Sequence, residues 1–155
     1  MWSTLWGQIV MTVIISMVPV IELRGAIPIA TANGLNFWIA IVCAIIGNLI
    51  PVPFIIIFIR KIFELIRKWS KKIDKIVAKL EDRAHQKSDV VRKYTFWGLV
   101  ILVAIPLPGT GAWTGALVAA MLEMRLKRAF PAIAVGVVIA GIIVSVVTYG
   151  GMIIF

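Results

Sequence analysis

Two ionisable residues stand out by their surroundings. Glu22 and Arg24 are the sole charges between Met1 and Ile59, in a stretch otherwise rich in Ile, Val, Ala and Leu. A charge in an apolar medium is costly unless it is paired or hydrated, so an ionisable residue inside such a run is a functional candidate. Residues two apart do not share a face of a regular helix. However, Pro19 and Gly25 bracket these two in a sequence that breaks a helix, Pro19-Val20-Ile21-Glu22-Leu23-Arg24-Gly25. At such a turn they either pair with each other and hold it, or point separately into a cavity. In the second case Arg24 attracts an anion, and Glu22 balances that charge when the site is empty or carries a proton.

A second break lies far along the chain, at Pro106-Leu107-Pro108-Gly109-Thr110-Gly111. A helix that restarts after a break presents its positive dipole end and unpaired backbone N–H groups at the break. These donors are expected from about Gly25 onward in the first break and from about Thr110 onward in the second. With Arg24 they would make an anion site suited to phosphate or carboxylate. Gly25, Gly109 and Gly111 allow close backbone approach, and Thr110 and Thr114 add hydroxyl donors. Asn48, beside Gly47 and ahead of Pro51 and Pro53, either supplies a further polar contact or forms an interhelical hydrogen bond. No nucleophile triad is available, because the one histidine, His85, lies in a polar loop and the one cysteine, Cys43, lies in an apolar run. Metal-ligand spacing, a phosphate-binding glycine loop and paired carboxylates are also missing, so neither an enzyme nor a cofactor is expected.

The elements that must position these residues follow from composition. Of 155 residues 61% are hydrophobic, far above the ~45–50% of soluble domains, and the sequence reads as a single all-α integral membrane domain. Residues 60–93 carry 12 of the 16 Lys/Arg and five of the seven acids. Such confinement of charge between apolar flanks excludes a nucleic-acid-binding surface. A cleaved signal peptide is not expected, since no Lys or Arg precedes the first apolar run. A helix needs ~20 apolar residues to cross a bilayer, and residues 37–59 and 129–155 suffice. The positive-inside rule puts 60–93 in the cytoplasm, and Arg125, Lys127 and Arg128 with it. Residues 94–124 must therefore enter and leave on one side. Each arm is about a dozen residues, ~18 Å of helix, so a re-entrant hairpin is expected. Residues 1–36 read as a second hairpin entering from the outer face, or, with a cytoplasmic N-terminus, as a span over 1–21 followed by a short arm.

Hairpin plus span, repeated in opposite orientation, amounts to two inverted repeats. Small residues at four-residue spacing accompany both: Ala26, Ala30 and Gly34 in the first, Gly111, Gly115 and Ala119 in the second, with Ala132, Gly136 and Ala140 in the last span. In the connector, Ile62, Ile66, Trp69, Ile73, Ile76 and Leu80 recur every three or four residues among lysines and arginines. This predicts a basic amphipathic cytoplasmic helix that fixes topology, lies on anionic lipid or pairs with its own copy. Half-length arms would face lipid in a lone chain, so a homodimer or larger assembly is expected.

Three ordered motifs carry a resemblance over essentially the whole chain: Glu22-Leu23-Arg24-Gly25-Ala26-Ile27-Pro28, Gly47-Asn48 with Pro51, and Pro106-Leu107-Pro108-Gly109-Thr110-Gly111-Ala112-Trp113-Thr114-Gly115-Ala116. They resemble the prokaryotic small multidrug export protein family, which is itself similar to the DedA/VTT membrane proteins with their paired re-entrant hairpins. The resemblance implies a multi-pass protein of a prokaryotic inner or plasma membrane that transports a substrate, with lipid phosphate as one substrate class. DedA proteins place arginines in the second hairpin, whereas this chain has Arg24 in the first and none between Tyr94 and Met124. The leading reading is a small transporter or lipid translocase that holds an anionic group between the hairpin tips. The alternatives are proton-coupled export of cationic compounds through Glu22, and a membrane scaffold that transports nothing.

Overall fold

The computed structural model describes residues 3–72, 74–76, 78–79, 88–107 and 109–154, without the side chains of 88–92 and 152. Its regular structure is entirely helical among those residues. In chain order the helices are α1 (Leu5–Met17), α2 (Glu22–Ala32), α3 (Phe37–Leu49), α4 (Pro51–Trp69), α5 (Ser88–Ala104), α6 (Ala112–Met121) and α7 (Leu126–Ile154).

Local chemistry sets the boundaries. The Thr4 hydroxyl caps α1 by accepting the Gly7 N–H at 3.2 Å. Pro19 ends α1 by forcing Val18 out of the helical region to ψ 125°. Asn36 caps α3 through its side-chain oxygen, which accepts the Trp38 N–H at 3.0 Å. Ile50 keeps helical torsions between α3 and α4, so Phe37–Trp69 runs as one 33-residue helix. Pro51 and Pro53 lack N–H groups, which leaves the Gly47 and Leu49 carbonyls without their usual partners inside it. That helix and Leu126–Gly151 are each long and apolar enough to cross a membrane, whereas Leu5–Met17, Lys93–Ala104 and Ala112–Met121 are too short.

The packing has a repeated logic. α1 lies on α2 and α3, just as α5 lies on α6 and α7. The short helix of each half then reaches across, α2 onto α7 and α6 onto α4. Leu23, Ile27, Val52, Ile56, Val103, Ile133 and Val137 fill the interior, with fully buried alanines between them.

A constant spacing of 89 residues pairs the halves in detail. Val20 and Gly109 both adopt left-handed torsions, φ 86° and 82°. α2 and α6 end in the same Schellman motif, in which Leu35 N–H reaches Ala30 O at 3.1 Å and Met124 N–H reaches Ala119 O at 3.0 Å. Gly47 and Gly136 both mark tight helix crossings. A Cβ on Gly47 would lie 3.0 Å from the Val13 Cα, and one on Gly136 would lie 2.7 Å from the Val103 Cβ. These terminal motifs set Ala26 against Gly115.

The connector departs from a single amphipathic helix. α4 carries the apolar run on through Arg60 to Trp69, and Ser70 then turns extended at φ −135°, ψ 107°. Arg67 and Lys68 favour a helix end there, because cations offset the negative end of the dipole. Ser70 O accepts the Asp74 N–H at 3.2 Å as the next turn starts. The expected stripe residues Ile73 and Leu80, together with His85 and Pro108, lie outside the described residues.

Candidate functional site

The two breaks meet. The first occupies 18–21 and the second 105–111, and the side chains at each finish helices that belong to the other.

Arg24, in the first turn of α2, reaches the end of α5. Its Nη1 donates to Leu107 O, and its Nη2 donates to Ile105 O at 3.1 Å and to the Thr110 hydroxyl at 3.2 Å. That hydroxyl in turn lies 2.7 Å from Ile105 O and 2.9 Å from Leu107 O. A guanidinium at the carbonyl end of a helix is favoured by the dipole, and here it adds charged donors to carbonyls that already accept the Leu107 and Thr110 N–H groups. Its Nε remains buried without an acceptor.

Glu22 goes the other way. Its side chain is buried, and its Oε1 accepts the Trp113 N–H at 3.4 Å in the first turn of α6. A carboxylate over a helix N-terminus complements the positive end of the dipole. Gly111 makes the room: a Cβ there would lie 2.7 Å from the Glu22 Cδ and Oε1. Among the described residues Glu22 and Arg24 form no ion pair, whereas Arg67 and Glu123 do, at 3.0 Å. The acid and the base thus each match a helix end of opposite sign rather than each other.

Trp113 was not singled out by sequence reasoning. Its indole Nε1–H donates to Met17 O at 3.0 Å and so caps α1 from the other half. Arg24 and Trp113 are 89 residues apart, which makes them counterparts that exchange the same service. The signal was present in the sequence, because an indole N–H in an apolar segment beside a break needs an acceptor.

The remaining predicted residues divide. Gly109 supplies left-handed backbone at φ 82°, and Thr114 donates to its carbonyl at 2.7 Å, which fixes the turn. Gly25 does not face the second break. Its N–H is bonded to Ile21 O at 3.0 Å, and a side chain there would meet Ile21. The Glu22 N–H is likewise bonded, to Val18 O at 3.0 Å. The start of α2 is therefore closed by its own turn, whereas the start of α6 is covered by a carboxylate. Asn48 is buried in α3 with its Oδ1 unpartnered, and among the described residues no hydrogen bond links it to either break. Among the described residues no group of three His, Cys, Asp or Glu gathers as a metal site.

A family model described as "Putative small multi-drug export protein" matches residues 22–143, which takes in α2, the second break and most of both long helices. The chain belongs to this small multi-drug export family. The family description points to a membrane transporter in general. The match begins at Glu22 itself, so the acid, the arginine and the second break all fall inside the small multi-drug export region. Searches of curated proteins and of solved structures give no match.

Proposed function

We propose that the chain is a DedA/VTT-like membrane transporter or lipid translocase that binds an anionic, lipid-phosphate-like group between two re-entrant hairpin tips. In this reading α1–α2 and α5–α6 are the hairpins, α3–α4 and α7 are the spans, and the two sets are inverted repeats. The shortness of the hairpin arms and the 89-residue correspondence support that arrangement. Concentration of Lys and Arg in 60–93 supports a cytoplasmic connector.

One observation carries the substrate class: an anion already sits on the N-terminus of α6, and it is the protein's own Glu22. A phosphate or carboxylate entering between the tips competes with that carboxylate for the same backbone donors. The unpartnered Arg24 Nε supplies a further donor beside it. Glu22 then serves as countercharge in the empty state and swings away, or takes up a proton, when substrate arrives. Thr110 and Thr114 brace this region in the same scheme.

A second reading is proton-coupled export of cationic compounds, with Glu22 as the exchanging carboxylate. It is favoured by Glu22 being buried without an ion pair among the described residues. The fixed positive charge of Arg24 nearby disfavours cations.

Reconstitution into liposomes with labelled lipid phosphates and cationic dyes, with and without a pH gradient, separates these readings. Lipid-phosphate movement that is lost in Arg24→Ala supports the first. Dye flux driven by the gradient and lost in Glu22→Gln supports the second. Flux of neither compound by the wild type favours a scaffold and rejects both.

A further inference from the structure

The 89-residue correspondence also shows where the halves fail to match. Ile9 of α1 packs against Ala30 of α2 and against Leu35 and Ala40. Its counterpart on α5 is Gly98, where a Cβ would meet nothing within 4 Å. Beside Ile9, Gln8 Nε2 donates to Asn33 O at 2.9 Å and ties α1 to the end of α2. The counterparts of that pair are Trp97, which is exposed, and Leu122. The second half thus leaves open what the first half fills. Tyr94, Gly98, Leu99, Leu102, Val118 and Leu122 line the resulting groove, of about 360 Å³, between α5 and the end of α6.

Charge follows the same division. Leu99 and Ile133 both meet Gly115, and Val103 meets Gly136, so α5 and α7 run side by side in one direction. Lys93 and Lys127 each precede the first of these contacts by six residues, ~9 Å of helix. They therefore reach the end of the groove marked by Tyr94 and Leu122, where Arg125 and Arg128 also lie. All four cations are exposed, and none forms an ion pair among the described residues. Glu123, the acid that follows Leu122, is held by Arg67. At the four corresponding positions the first half has Thr4, Asn36, Trp38 and Ile39, without a charge. An open groove and a basic end occur together in one half and are absent together from the other.

That coincidence identifies an occupant by its chemistry. An apolar groove with cations at one end fits an acyl chain that carries an anionic headgroup. From Tyr94 to Leu102 the lining runs ~12 Å along α5, which suits an extended chain rather than one inserted side chain. A second copy of this protein is disfavoured, because it would bring a net charge of +9 against the same cations. Tyr94 and Trp97 are exposed beside the groove, and these residue types favour the headgroup level of a bilayer.

We propose that the groove between α5 and α6 holds one acyl chain of an anionic phospholipid, with Lys93, Arg125, Lys127 and Arg128 around its headgroup. The lipid is a bound companion of the second half. Its site is separate from the tips and does not depend on what passes between them.

The test titrates full-length protein in detergent with phosphatidylglycerol or with phosphatidylcholine of the same acyl chains, and counts bound lipid by native mass spectrometry. Wild type takes up one phosphatidylglycerol ahead of any further lipid and binds phosphatidylcholine about fivefold or more weakly. Gly98→Ile fills the groove as Ile9 does in the first half, and it weakens both lipids about tenfold. The substitution raises helix propensity, so the fold is kept. Lys93→Gln combined with Arg125→Gln brings phosphatidylglycerol down to the level of phosphatidylcholine, whose own binding changes less than about twofold. Lys61→Gln combined with Lys68→Gln removes equal charge from α4 and changes either lipid less than about twofold. Equal losses in the two double variants, unchanged lipid binding in Gly98→Ile, or a wild type with no preferred first lipid overturns the proposal. So does a Gly98→Ile protein that loses dimers but keeps its lipid, since the groove is then an interface between copies.

Discussion

The two breaks share a backbone course and differ in chemistry. At positions 20 and 22 the first break places Val and Glu at positive φ, 86° and 48°. At the corresponding positions 109 and 111 the second has glycines, at φ 82° and 149°. Left-handed torsion costs an L-residue about 1–2 kcal/mol and glycine very little. The first break therefore stores backbone strain while the second is relaxed. That strain is located where the buried carboxylate leaves the chain, and the relaxed partner has the gap that receives it. The donors differ in the same manner: Arg24 caps α5 with charge and three acceptors, whereas Trp113 caps α1 with one neutral N–H. Of two breaks with a shared backbone course, one is charged and strained and the other neutral and permissive.

The comparison is broken most severely at Gly111. Gly111→Ala puts a methyl group into the Glu22 carboxylate and adds unfavourable torsion, so a loss on the order of 3–4 kcal/mol is expected. Gly109→Ala, with open space around its Cβ, should lose only about 1 kcal/mol from backbone torsion. Thermal unfolding in detergent, followed by circular dichroism, measures the difference, and equal losses would refute the packing argument. Next in size is the contrast between the caps. Arg24→Ala removes three charge-assisted hydrogen bonds and should cost about 2–3 kcal/mol, against about 1 kcal/mol for Trp113→Phe, which removes a single N–H. If the tryptophan variant is the weaker protein in chemical denaturation, the inequality of the two tips has been misassigned.

Two further substitutions sharpen the likeness rather than the contrast. Gly47→Ala and Gly136→Ala each drive a methyl group into the facing helix and should lose about 1–3 kcal/mol apiece, with similar unfolding midpoints. A large disparity between them would argue against equivalent crossings. The smallest effect is expected at Val20. Its side chain is exposed, so Val20→Gly sacrifices little burial and should stabilise by about 0.5–1 kcal/mol as torsional strain is released. A lower melting temperature in this variant would show that Val20 is not strained.

Much of this architecture was legible from residue types alone. Proline and glycine placed both breaks, and the lengths of the apolar runs separated the two long helices from the short ones. Glu22 and Arg24 were visible because charges are rare in such surroundings. Their partners were not visible. Backbone carbonyls such as Ile105 and Leu107 carry no signature in sequence, and neither does the N-terminus of α6 as a destination for Glu22. The expected choice was between mutual pairing and an open cavity. The structure takes a third course, in which each charge is matched to a helix end contributed by the other half. Register was not legible for a related reason: alanine and glycine are so frequent here that four-residue ladders match in several frames, whereas the Schellman motifs at Gly34 and Glu123 fix one. The interruption of the connector at Ser70 was masked by apolar periodicity that continues through it.

The bond from Trp113 to Met17 has a consequence for how the protein is made. The last carbonyl of α1 receives its donor from a residue synthesised 96 positions later. At ordinary translation speeds of about 5–20 residues per second, the first helix pair waits on the order of 5–20 s for its closing contact. During that interval the Glu22 carboxylate also has no helix end to cover. The nascent first half thus emerges electrically unfinished, and it becomes complete only once the second half has been delivered beside it.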